Sequence, residues 1–232
     1  MTALPPARRL RFRLASETLG RFAAGRPLRV LDAGCGDGSF ALQLAAQHPS
    51  WSIIAVDVAD NLLARGSESA ARAKLANVEF VHADVTEDLG AALYDAVAAI
   101  ESLEEIPNDT EALRRLVAAL RPGGLLVAHV PECDWMPVLP GSEATWRHEV
   151  RHGYAADELE GRLRELGLEN VRIEETSRSL VRTAQELRDR ISPRHPGVRA
   201  AVSSMLAFTV PLERAGLTWG RGRALFVRAA AR

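Results

Sequence analysis

Three glycines at alternate positions, Gly34, Gly36 and Gly38, interrupt the apolar run Val30-Leu31-Asp32-Ala33 just before a helical pattern begins at Ser39. Glycine admits φ > 0 and carries no Cβ, so a turn built this way lets the backbone come into contact with a bound cofactor. A dinucleotide turn has the spacing G-x-G-x-x-G. Here the third glycine arrives one residue early and an acid, Asp32, stands two residues before the first. A lone glycine turn is only a tight turn until its context agrees. The context is a series of acids at the ends of apolar runs: Asp57, Asp84 and Glu101. Asp57 follows the glycines by about 20 residues, the distance at which a strand-end carboxylate reaches ribose hydroxyls.

The elements that position these residues alternate between strand and helix patterns. Strands are predicted at Trp51–Asp57, Val78–Ala83, Tyr94–Ile100, Leu120–Val130 (turn plus strand), Val171–Glu175 and Arg223–Ala229, after the first at Val30–Ala33. Helices are predicted at 7–24, Ser39–Ala46, Asn61–Ala73, Thr110–Leu120 and Asp157–Leu166, the fourth opened by the cap signal Asn108-Asp109-Thr110 and the fifth closed by Gly167. This alternation predicts a mainly parallel sheet covered on both faces, and open sheets of that kind bind ligands at their carboxyl ends. Residues 7–24 offer Leu10, Leu14, Leu19 and Phe22 as an apolar face, with Arg8, Arg9, Arg11 and Arg13 as a solvated face or a gate over the cofactor.

The glycine turn with its leading acid, followed by the strand-end acids in this order, resembles motif I and its partners in the class I S-adenosylmethionine (SAM)-dependent methyltransferases. The resemblance covers about residues 28–175 and returns at the last strand. It implies a single α/β domain over residues 1–232 with a Rossmann-like, seven-stranded, mostly parallel sheet, an antiparallel last strand, and helices on both faces. It also implies SAM as cofactor and S-adenosylhomocysteine as product, on a surface formed by Asp32, Ala33, Gly34, Gly36, Asp57, Val58, Asp84, Val85 and Glu101. In that family the counterpart of Asp84 caps the adenine amino group.

Methyl transfer from a sulfonium asks the protein for alignment and, where the acceptor is protonated, for a base. Glu101, His148 and His152 are the expected catalytic residues, with Glu104, Glu105 and Asp134 as further carboxylates in segments that the fold brings to the same rim. Glu101-Ser102-Leu103-Glu104-Glu105 also resembles an E-x-x-E-H pattern by which some methyltransferases, acting on quinone precursors or RNA 3′ ends, bind a divalent cation. Glu105 stands where they have histidine. Three carboxylates in one turn could hold Mg²⁺; the expectation is nonetheless a solvated acidic turn with no metal and with Glu101 lining the cofactor site. Tyr154 is assigned to packing.

A formal net charge of −1 gives no global footprint for nucleic acid or an anionic membrane. Cys35 and Cys133 have neither framework nor metal spacing. An apolar leader is absent, so a cytoplasmic location is expected and no membrane association. There is no Asn/Asp-Pro-Pro-Tyr/Phe after the fourth strand and no Pro-Cys dipeptide, which disfavours amino-group methylation of adenine or glutamine and cytosine C5 chemistry. A small-molecule acceptor methylated at oxygen is the leading expectation. The alternatives are a SAM-binding relative that transfers no methyl group, cyclase-like or regulatory, and a protein or RNA methyltransferase. Residues 1–27 form an N-terminal helical segment, and residues 178–222 an insert with helical patterns at 182–191 and 197–215. The insert is expected either to cap the acceptor pocket or to form a scaffold helix pair or homodimer surface, in which Val198, Val202, Met205, Leu206, Phe208, Val210 and Leu212 bury one stripe.

Overall fold

A computed structural model describes residues 4–134, 138–139, 150–191, 195–217, 222 and 224–232. Strands β1 (Arg29–Ala33), β2 (Ser52–Asp57), β3 (Val78–His82), β4 (Tyr94–Ile100), β5 (Leu120–Pro131), β6 (Leu168–Thr176) and β7 (Ala224–Ala231) make one sheet. Its order is β3-β2-β1-β4-β5-β7-β6. The pairings within β3-β2-β1-β4-β5 are parallel, whereas β7 runs antiparallel to both β5 and β6. The expected fold class is the observed one. The strand order reverses between β1 and β4, and the glycine turn leaves β1 at that point, where open sheets leave a crevice for ligand.

Helices α1 (Pro6–Ala23) and α2 (Ser39–Gln47) cover one face, and α4 (Asp109–Ala119) and α5 (Ala156–Glu165) the other, while α3 (Asp60–Ala73) lies beside β3. Covered on both sides, β4 reads Ala96-Val97-Ala98-Ala99 with every residue buried. On the α1 side, Phe12, Ala15 and Leu19 pack with Phe40, Leu44, Val30 and Ile53. Across the sheet, Leu113 and Leu116 of α4 and Leu159 and Leu163 of α5 pack with Leu31, Val97 and Leu126.

The insert holds three helices where two were expected: α6 (Ser179–Asp189), α7 (Pro196–Met205) and α8 (Thr209–Arg214), with a 3-10 turn at Leu206–Phe208. Pro211 has no N–H to continue a helix through this stretch, and Thr209 Oγ1 turns back to the Leu206 carbonyl at 2.7 Å. The first of these helices begins earlier than its periodicity predicts, because the carboxylate of Glu213 accepts from the N–H groups of Arg178 (2.7 Å) and Val181 (3.0 Å). That cap comes from a different helix and leaves no local signal. Leu10 of α1 packs with Val181 and Val210, joining the N-terminal helix to the insert. No helix among the described residues is long and apolar enough to cross a membrane.

Candidate active site

The turn after β1 is held from three sides. Cys35 N–H donates to the Val56 carbonyl (2.9 Å), Gly36 N–H to Asp57 Oδ2 (2.8 Å), and Ser102 Oγ to the Ala33 carbonyl (2.9 Å). Gly34 and Gly36 have φ of +69° and +54°. Their reasons for being glycine differ: a Cβ on Gly34 would lie 2.4 Å from Cβ of Ser102, whereas one on Gly36 would meet nothing within 4 Å. The first is needed for packing against β4's end, and the second keeps a cavity wall open.

Asp32, Asp57, Asp84 and Glu101 border a cavity of about 790 Å³. Asp32 is 2% exposed, and its Oδ2 has no hydrogen-bond partner among the described residues. Burial, aided by nearby Asp57, pushes its carboxyl up to about 7. Asp57 braces the turn through Oδ2 and accepts from Ala59 N–H through Oδ1 at 2.9 Å, and each oxygen retains a lone pair for a ligand hydroxyl. Asp84 accepts from Thr86 N–H (2.8 Å) and Oγ1 (2.7 Å) with Oδ1, which lowers its pKa and fixes the carboxylate with Oδ2 left over. Val58, 58% exposed, and buried Val85 flank the same space. An unpartnered buried carboxylate oxygen, an open Cβ direction at Gly36 and apolar side chains beside Asp84 fit the ammonium, backbone-contacting and adenine parts of SAM.

Glu101 follows β4 with φ +57°, a left-handed conformation that is costly for a residue with a Cβ. Its N–H donates to the His129 carbonyl at 2.8 Å, and its Oε1 lies 2.7 Å from His129 Nδ1. His129 is 1% exposed, with Nε2 3.1 Å from Thr176 Oγ1. Glu101 Oε2 lies 3.1 Å from Arg11. Neither His129 nor Arg11 stood out in the sequence as a partner of Glu101; a lone histidine within the apolar β5 run and one arginine among five on α1 carry no local signal.

A second cavity of about 1070 Å³ adjoins the first. Arg8, Arg11, Asp37, Ser39 and Glu101 border both. Its far wall is Gln185, Arg188 and Asp189 of α6 with Arg199 and Ser203 of α7. The insert therefore presents polar side chains to the cavity. Met205 and Phe208, expected in a buried stripe, are 71% and 57% exposed, and the buried side of α7 is Ser203.

The remaining candidates are not brought to this junction. His152 is exposed and borders neither cavity, and His148 lies outside the described residues. In the 3-10 turn Leu103–Glu105, Glu104 is buried whereas Glu105 is exposed. The three glutamates do not converge; among the described residues only Glu132, Cys133 and Asp134 bring ligand atoms within 4.8 Å of one another. Burial raises the Cys35 thiol, so it is no thiolate nucleophile. Tyr154 is fully buried, as packing requires, but its hydroxyl also donates to Asp109 Oδ2 at 2.8 Å.

A family model described as a methyltransferase domain matches residues 7–173. The chain belongs to that methyltransferase-domain family. It is 30% identical over 153 residues to a trans-aconitate 2-methyltransferase of Acidovorax ebreus, covering 64% of this chain and 57% of that protein. It is 32% identical over 169 residues to 27-O-demethylrifamycin SV methyltransferase of Amycolatopsis mediterranei, covering 68% and 61%. The matched region thus spans less than two thirds of these relatives. Phosphoethanolamine N-methyltransferase 2 of Haemonchus contortus, solved in complex with S-adenosyl-L-methionine, is 20% identical with a TM-score of 0.67, covering 94% of this chain and 52% of that one. At that identity the likeness shows the fold alone.

Proposed function

We propose that the chain transfers the methyl group of SAM to an oxygen atom of a small-molecule acceptor and releases S-adenosylhomocysteine. The observation that carries this reading is the meeting of the two cavities at Glu101, Arg8 and Arg11: one is bordered by the glycine turn and the acids, and the other is bordered on one side by the insert. When bound, SAM supplies an activated leaving group, so that positioning can account for much of the acceleration.

The protein's own residues divide the work. With SAM bound, Asp32 would balance the ammonium group, Asp57 would accept from the ribose hydroxyls, and Asp84 Oδ2 would accept from the adenine amino group. Ala33, Gly34 and Gly36 bring backbone alongside the amino-acid tail. Glu101, fixed between His129 and Arg11 on the border of both cavities, would take the acceptor's proton when the acceptor oxygen is a hydroxyl. The absence of Asn/Asp-Pro-Pro-Tyr/Phe after the fourth strand disfavours amino-group methylation of adenine or glutamine. The relatives point the same way, one being named for a 27-O position and another for trans-aconitate, whose heteroatoms are all oxygen.

The test is to incubate the protein with methyl-labelled SAM and a low-mass metabolite extract. Label in a low-mass ester or ether supports the reading. Label in protein or RNA, or cofactor binding with no transfer, replaces it by one of the other two.

A further inference from the structure

Arg188 and Arg199, from two different helices of the insert, converge on the far wall of the acceptor cavity and share a single carboxylate. Arg188 donates to Asp189 Oδ1 at 2.8 Å and Arg199 lies 3.3 Å from the same oxygen. Both guanidinium side chains are largely covered, at 17% and 22% exposure, while Asp189 is half exposed. Ser203 fixes the pair: its hydroxyl accepts from Arg188 Nε at 2.9 Å and donates to the Arg199 carbonyl at 2.8 Å. Arg199 Nε is buried with no hydrogen-bond partner among the described residues. On the near wall Arg8 has no hydrogen bond to a carboxylate among the described residues; Asp37 and Glu101 act on it only through space, and burial with Arg11 nearby lowers its pKa.

The described side chains bordering this cavity thus include four arginines, Arg8, Arg11, Arg188 and Arg199, against three acids, Asp37, Glu101 and Asp189. A cationic cofactor next door adds to the positive side. Partly desolvated guanidiniums that share too few carboxylates are matched by an oxyanion, which the planar fork holds in two hydrogen bonds.

We infer that the acceptor is a small oxyanion, anchored by Arg188 and Arg199 at one end and methylated at the other. The two ends are set by the walls: Arg188 and Arg199 border only the acceptor cavity, whereas Glu101, Arg8 and Arg11 border the cofactor cavity as well. This rests on the small-molecule reading proposed above and names its substrate class.

The experiment splits a low-mass extract of the source organism on a strong anion exchanger and supplies each fraction with methyl-labelled SAM. Labelling from the retained fraction is expected, with Arg188→Gln and Arg199→Gln each raising the acceptor KM at least tenfold and leaving the SAM KM within twofold. Asp189→Asn, which releases both guanidiniums from their shared carboxylate, should lower the acceptor KM and serves if the arginine variants fail to fold. Phosphatase treatment of the retained fraction separates the two sources, since a phosphate acceptor is destroyed and a carboxylate survives. Labelling only from the unretained fraction, or an acceptor KM unmoved by all three variants, overturns the inference while methyl transfer to a small molecule stands. No low-mass labelling from either fraction overturns the function beneath it.

Discussion

Glu101 and His129 meet across neighbouring strands, Oε1 to Nδ1 at 2.7 Å, with the Glu101 N–H bonded to the carbonyl of the same histidine. Side chain and backbone together lock a left-handed residue at the mouth of both cavities. Glu101→Gln keeps the shape and removes the charge, so kcat should fall by roughly 10²-fold. His129→Asn should lower kcat by less, and neither should move the SAM Kd beyond about threefold, since a group used mainly in the reacting complex shows itself in kcat. A loss wholly in SAM Kd would make Glu101 a cofactor ligand alone.

On the proposed reading, Asp32 ties cofactor affinity to pH. Its folded pKa is raised to about 7, so the stability it contributes is fully present below the unfolded value near ~3.9 and is lost as pH rises through about 7. An ammonium beside it favours the charged form. SAM affinity should therefore climb with pH up to neutrality and binding near pH 6 should release protons, both effects vanishing in Asp32→Asn. Titration calorimetry in buffers of different ionisation enthalpy checks the proton count, and affinity that falls with pH would refute the pairing.

The two glycines should fail differently. Gly34→Ala pushes a Cβ against Ser102 and should cost on the order of 1–3 kcal/mol of stability, with part of the clash relieved in the Gly34→Ala/Ser102→Gly double variant. Gly36→Val leaves the core packing alone and projects into the cofactor cavity, so SAM binding should weaken at least tenfold with a smaller stability loss from the left-handed backbone. Denaturation and SAM titration of the same variants separate the two.

Asp109 is a structural counterpart. Despite partial burial, hydrogen bonds from Arg162 (2.9 Å), Tyr154 (2.8 Å) and Arg151 (2.8 Å) hold its carboxyl down at about 2. With a depressed folded pKa, its stabilisation is present above about 4 and disappears as pH falls towards about 2. Asp109→Asn should lose about 1–2 kcal/mol at pH 7 and about a third of that at pH 2.5, read from urea unfolding at both. An equal loss at both would mean that charge is not what holds this cluster.

The grouping of the acids around one cavity was legible because they stand at strand ends, where an apolar run stops at a carboxylate: Asp57, Asp84 and Glu101 all border it. The acceptor half was not. His129 is brought to Glu101 by the β4–β5 register, and Arg188 and Arg199 look like solvated helix positions until α6 and α7 fold together over the cavity. Met205 and Phe208 misled in the opposite sense, since apolar spacing on a helix does not say which face is covered, and α7 turns Ser203 inward. The early start of α6 depends on Glu213, 32 residues beyond Val181, and local periodicity carries no trace of it.

Calorimetric titration of the wild-type protein with SAM bears most directly on the site from which all of this follows. A single site per chain with Kd of about 1–10 µM is expected, near −8 kcal/mol, and weakened at least tenfold in Asp57→Ala. No binding of SAM or S-adenosylhomocysteine by folded wild-type protein at millimolar concentration, or equal affinity in Asp57→Ala, would contradict it.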